Sequence, residues 1–142
     1  MLRAAISNEA LEVFVPLYKA ILRPHLGYCF QAWSPYFKKD IAVLEKIQRH
    51  ATRCVWGTKE LSYEERLKYL NLFSLERRRL RGDLIEVFKA TRENAINPLT
   101  QLFTIRCDTG LRGHPYHIVK RYCKLAIRQN FFTNRVVNAW NK

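Results

Sequence analysis

Four residues in the C-terminal third carry the types that bind zinc. Cys107, His114, His117 and Cys123 follow one another as C-x6-H-x2-H-x5-C. A tetrahedral zinc site usually brings its ligands in closer pairs, so this spacing reads more simply as small buried thiols beside loop histidines. Cys29 and Cys54 also lack CxxC partners and read the same way. Two-metal phosphoryl chemistry needs carboxylates that converge on both ions. The only aspartates, Asp40, Asp83 and Asp108, lie on three different segments, with no YxDD-like pair. The glutamates fall on helix surfaces beside basic residues. Gly110-Leu-Arg-Gly113 is too short to cradle a phosphate as a glycine-rich loop does. No catalytic residue, metal or cofactor is therefore assigned.

The basic residues offer a different chemistry. Lys and Arg total 25 against 12 Asp and Glu in 142 residues, a net charge of +13. Such an excess repels itself and calls for a polyanionic partner, most commonly nucleic acid. It is also uneven, because no acidic residue follows Asp108. Three strips stand out. Lys39, Lys46, Arg49 and Arg53 line one; Arg78 and Arg81 belong to a second with Lys89 and Arg92; Lys120, Lys124 and Arg128 form the third. Side chains of this kind neutralise phosphates and carry little sequence information. Tyr36, Tyr116 and Tyr122 sit among them, where an aromatic ring can stack on an unpaired base; Phe37 reads as core.

These residues need elements to hold them. Phe73–Phe88 reads as a central helix, capped by Ser74, with Leu80, Leu84, Val87 and Thr91 on its apolar side. Arg79 is expected to pair with Asp83 one turn on, leaving the basic strip without acidic partners. Lys38–Trp56 reads as an amphipathic helix with Ile41, Leu44, Ile47, Ala51, Cys54 and Val55 on one face, stopped by Gly57. Ser62-x-x-Glu65 is a capping box. A first helix carries Leu11, Phe14 and Tyr18 and is interrupted at Pro16. Pro24 starts a short one ending near Trp33, with Leu26, Cys29, Phe30 and Trp33 as core. Leu102–Cys107 and Val119–Arg128 alternate with period two, which predicts a hairpin with Val119, Cys123, Leu125 and Ile127 inward. Phe131–Trp140 returns to a helical pattern, with Phe132, Val136, Ala139 and Trp140 inward.

The expected fold is therefore mainly α, a helical bundle with a small C-terminal β-hairpin. Residues 1–94 form its helical region and 95–142 a basic appendage of the same domain. No apolar run approaches the roughly 20 residues of a membrane span. No targeting segment stands out, so an intracellular location, nucleus or cytoplasm, is expected.

Three runs, LYKAILRPHLGYCFQAWSPYFKKDI (Leu17–Ile41), LSYEERLKYLNLFSLERRRLRGDLIEVFK (Leu61–Lys89) and LRGH…RQNFFTNRVVNAWN (Leu111–Asn141), resemble one family in the same order. It is the region following the catalytic palm in reverse transcriptases of non-LTR retrotransposons, of the jockey and chicken-repeat type. By that resemblance, Leu2–Arg92 looks like a thumb with the helices after it, which cradle a template–primer duplex. Ala95–Lys142 looks like the start of the C-terminal region. The aspartate-bearing palm and the endonuclease domain are absent, and Gly27 stands where an acidic residue is common. The implied role is a non-catalytic fragment that grips RNA or an RNA–DNA duplex through the basic strips. The rival expectation is an inert relic or protein-interaction domain. In that case an N-terminal apolar face near Leu11, Phe14 and Tyr18, bared by the missing palm, would drive self-association.

Overall fold

The computed structural model describes residues 12–55, 57–92, 98–106 and 115–142. They fall into two compact units, the first from within residues 12–30 and 35–79, the second from within 31–34 and 80–142.

In the first unit, residues 12–17 are helical, and Pro16 does not split them. Pro16 lacks the N–H that continues an i→i−4 ladder. The ladder then widens into a π-helical segment, Tyr18–Leu22, where the Arg23 N–H reaches back to Tyr18 O. Helix α1 (Arg23–Gly27) follows with a proline in its first turn. It ends before Cys29, whose φ of +49° breaks the helical path; α2 (Phe30–Trp33) is a separate short turn, and all of it but Phe30 belongs to the second unit. Leu26, Cys29, Phe30 and Trp33 are not core residues: Cys29 and Trp33 are exposed, and Leu26 and Phe30 are only half-buried.

Helix α3 (Lys38–Arg53) is the longest of this unit. It ends three residues earlier than expected. Gly57, at φ +80°, lies beyond it, and the last carbonyls are met by Thr58, whose hydroxyl stands 2.8 Å from both Thr52 O and Val55 O. Helix α4 (Tyr63–Tyr69) begins with the expected capping box, Ser62 and Glu65 exchanging both hydrogen bonds. The core gathers Tyr18, Ala51, Val55, Leu67, Leu70 and Leu72, with Phe14, Val15 and Tyr63 against them.

Helix α5 (Leu75–Arg92) opens with Ser74 Oγ accepting from the Arg77 N–H at 3.2 Å, as a capping serine should. Its buried stripe is Leu75, Arg79, Asp83, Val87, Ala90 and Thr91. The apolar side expected from the sequence is rotated from this: Leu80 is 45% exposed and Leu84 only half-buried. A stripe counted from apolar residues alone misses Arg79 and Asp83, which are charged yet buried.

The core of the second unit joins Val87, Ala90, Phe103, Ile118, Phe132, Val136 and Val137, with Leu84 and Trp140 against them. Phe103 and Phe132 meet edge to face at 5.5 Å. A 3-10 turn (Pro98–Leu102) leads in, and α6 (Ala126–Gln129), α7 (Phe132–Arg135) and α8 (Val137–Trp140) close the chain. The expected hairpin is not formed: among the described residues there is no strand, only one antiparallel bridge, Ile105 to Ile118. The pairing goes no further among the described residues, and Ile118 is bonded on its far side as well. The other edge of that residue is taken by a side chain, Asn141, whose amide accepts from Ile118 N–H (3.0 Å) and donates to Ile118 O (2.9 Å). Past Val119 the alternation buries little: Cys123 is half-buried, and Leu125 and Ile127 are 73% and 76% exposed. The inward positions at Phe132 and Val136 are as expected, with Ala139 and Trp140 half-buried.

Candidate nucleic-acid interface

The nine predicted phosphate-binding residues divide between the units. Lys39, Lys46, Arg49, Arg53 and Arg78 belong to the first, and Arg81, Lys120, Lys124 and Arg128 to the second. All nine are exposed. At about 100° per residue, Lys39, Lys46, Arg49 and Arg53 share a strip of α3 roughly 80° wide and about 20 Å long. The opposite face is rotated from expectation. Its buried members are Glu45, Gln48, Ala51, Thr52 and Val55, while Ile47 and Cys54 are exposed.

Four of these cations rest on neutral groups. Lys39 Nζ lies 5.6 Å from the Phe37 ring and the Arg49 guanidinium 4.9 Å from that of Tyr63. Arg128 stands 5.1 Å from Phe131, and Lys120 Nζ donates to Asn138 Oδ1 at 3.2 Å. Such contacts hold a side chain without cancelling its charge. Ion pairs do form elsewhere. Lys89 meets Glu86 at 3.1 Å, so this member of the second strip is not acid-free as expected. Arg92 lies over Phe88 and Tyr116. Phe37, expected inside, is 51% exposed and touches Tyr36 ring to ring at 4.1 Å.

Two concavities accompany the basic residues. In the first unit a groove of about 690 Å³ is lined by Arg49, Lys68 and Arg77, but also by Glu45, Glu64 and Glu76. Its acids oppose a polyanion. Glu45, expected on the surface, is buried: its carboxylate accepts from the Tyr63 hydroxyl and from Leu75 N–H, at the positive end of α5. Tyr18 OH donates to Gln48 Oε1 (2.7 Å), and Gln48 Nε2 to Phe73 O (2.9 Å). Burial, aided by Glu45, pushes the Tyr18 hydroxyl up to about 12, and burial and the Glu45 hydrogen bond also push Tyr63 well up. Both phenols stay neutral as donors.

The second unit holds a cleft of about 370 Å³ lined by Lys120, Arg121, Tyr122, Cys123, Gln129 and Asn134. It contains no acid. The Arg121 guanidinium donates to Thr104 Oγ1 at 3.0 Å, and the Tyr122 ring is 88% exposed. Cys123, expected inside, is half-buried and accepts from Asn134 Nδ2 at 3.0 Å. No family description, curated protein or solved structure matches the chain. The cleft therefore stands on its own chemistry: cations on neutral supports around an open ring, a surface suited to phosphate and base together.

The sequence pointed to Lys120 and Tyr122 but not to Arg121, which stands between them, nor to Gln129 and Asn134, which reach the cleft only through the turn at α6 and α7. Of the zinc-type residues, Cys107 and His114 lie outside the described residues, and no group of three or more potential ligands exists among the described ones. Nor is any described helix long and apolar enough to cross a membrane.

Proposed function

We propose that the chain is a non-catalytic nucleic-acid-binding module that grips the phosphate backbone of RNA or an RNA–DNA duplex, in the role its likeness to the post-palm region of non-LTR reverse transcriptases implies. The observation that carries this reading is the acid-free cleft, where Lys120 and Arg121 are held by neutral oxygens and Lys124 and Arg128 stand exposed nearby. A cation fixed by a neutral acceptor keeps its charge for a ligand and loses little further side-chain freedom on binding. Replacing Lys120, Lys124 and Arg128 together with glutamine is expected to weaken RNA binding roughly tenfold at low salt. The ranking of sequences should not change. Fluorescence anisotropy with labelled RNA reads both, and an unchanged affinity would refute the assignment.

A second reading, a protein-interaction domain without nucleic-acid activity, has one observation in its favour. Val13, Leu17 and Ile21 recur at helical spacing and are 60%, 51% and 56% exposed. This is not the face expected from the sequence. Leu11 lies outside the described residues, Phe14 packs on the core, and Tyr18 is buried. Concentration-dependent sedimentation abolished by Leu17→Glu would support that reading; a monomer at all concentrations would remove it.

A further inference from the structure

The acid-free cleft carries more than charge. Gln129 Nε2 donates to Cys123 O at 2.8 Å, and Asn134 Nδ2 donates to Arg128 O at 3.1 Å and to Cys123 Sγ at 3.0 Å. A backbone carbonyl can only accept, so each contact fixes its amide with the nitrogen toward the protein. The remaining oxygens, Gln129 Oε1 and Asn134 Oδ1, have no hydrogen-bond donor among the described residues. Asn134 lines the cleft although it is only 4% exposed. Beside these acceptors stand the Tyr122 ring, almost wholly in solvent, and two cations, Lys120 and Arg121, steadied by Asn138 and Thr104. The volume, about 370 Å³, falls in the range of small-ligand sites.

We propose that this cleft takes one unpaired nucleotide of a single strand. Its base stacks on Tyr122, its flanking phosphates rest on Lys120 and Arg121, and its base edge meets the Gln129 and Asn134 carbonyl oxygens. Two acceptors select a base edge that offers amino hydrogens. Cytosine offers its N4 amino group. Uracil presents an oxygen at that position and is repelled. The assignment rests on the phosphate-binding reading above and narrows it from backbone contact to base readout at one position.

The test uses the whole chain with oligocytidylate, oligouridylate and an RNA duplex of equal length at one salt concentration. The unaltered protein should bind oligocytidylate more tightly than oligouridylate. Tyr122→Ala should weaken single-strand binding roughly tenfold and leave duplex binding within about twofold. Tyr122→Phe, which keeps the ring, should bind as the unaltered protein does. Gln129→Leu should shrink the cytosine preference without changing how affinity depends on salt. Equal affinity for the two pyrimidine strands, or a Tyr122→Ala protein that holds single strands undiminished, overturns the nucleotide site while leaving salt-dependent backbone binding standing. Loss of salt-dependent binding to every nucleic acid would instead bring down the broader reading, and this one with it.

Discussion

Glu45 in the first unit and Lys120 in the second are both charged side chains held by hydrogen bonds, yet they serve opposite ends. Glu45 is buried, and its partners, the Tyr63 hydroxyl and the Leu75 amide, complete the fold by closing the start of α5. Lys120 is exposed, and its partner, Asn138, is neutral. The pattern extends around each. In the first unit Tyr18, Gln48, Tyr63 and Glu45 spend their polarity on one another and on backbone ends. In the second, Lys120, Arg121 and Arg128 rest on a neutral amide, hydroxyl or ring. The difference teaches which charges are structural: those whose partner is an ion or a buried backbone group hold the fold, while those on neutral supports remain available to a ligand.

Arg135 breaks the pattern usefully, because it is a second-unit cation whose partner is an acid. Its Nε and Nη2 meet both oxygens of buried Asp83 at 3.0 Å. Asp83 is buried and Arg135 partly so, and removing the arginine takes a two-pronged cation from a buried carboxylate. Arg135→Ala should therefore cost about 3–5 kcal/mol in denaturant unfolding. Arg128→Ala, on an exposed cation, should stay within about 0.5 kcal/mol. Similar costs for both would erase the distinction between structural and available cations.

Glu45→Ala sharpens the contrast from the first unit. It strands the Tyr63 hydroxyl and the Leu75 amide and should destabilise by about 2–3 kcal/mol, without reducing nucleic-acid affinity. A gain in affinity is compatible, since a negative charge leaves the groove; a loss would place Glu45 in the binding surface.

Alkaline titration probes the same network without mutation. Tyr18 has a folded-state value raised to about 12 from 10.0. The fold thus favours the protonated phenol. That stabilisation is complete below pH 10 and is lost as pH rises from 10 toward 12. Tyrosinate absorbance should show Tyr18 and Tyr63 ionising only well above the ordinary phenol value of 10.0, in step with loss of helicity. Ionisation of both at that ordinary value, with helicity intact, would contradict the buried donor network. Among the smallest effects, Ser62→Ala should cost about 1 kcal/mol through the lost cap on α4, with no change in binding.

Local rules made part of this legible in the sequence. The Ser62–Glu65 box, the Ser74 cap and the inward Phe132 and Val136 each depend on residues within a turn or two. What the sequence concealed lies at long range. Glu45 reaches the start of α5 across 30 residues, and Arg135 reaches Asp83 across 52. The buried stripe of α5 departs from its apolar pattern for that reason: Asp83 is tolerated inside because a distant arginine binds it. The absence of the hairpin has another cause. Period-two alternation predicts a strand only where one face is buried, and Leu125 and Ile127 face solvent on both counts. In the candidate site, the basic residues could be named from charge alone. The amide acceptors could not, because only the fold brings Gln129 and Asn134 beside Tyr122.

Phosphate neutralisation by the exposed cations must show itself in how RNA affinity depends on salt. The logarithm of the association constant should fall linearly with the logarithm of salt concentration. Each phosphate contact removed by a lysine- or arginine-to-glutamine substitution at Lys120, Lys124 or Arg128 should make the slope shallower by about 0.7–0.9. A flat dependence in the unaltered protein, or a slope indifferent to those substitutions, would contradict it.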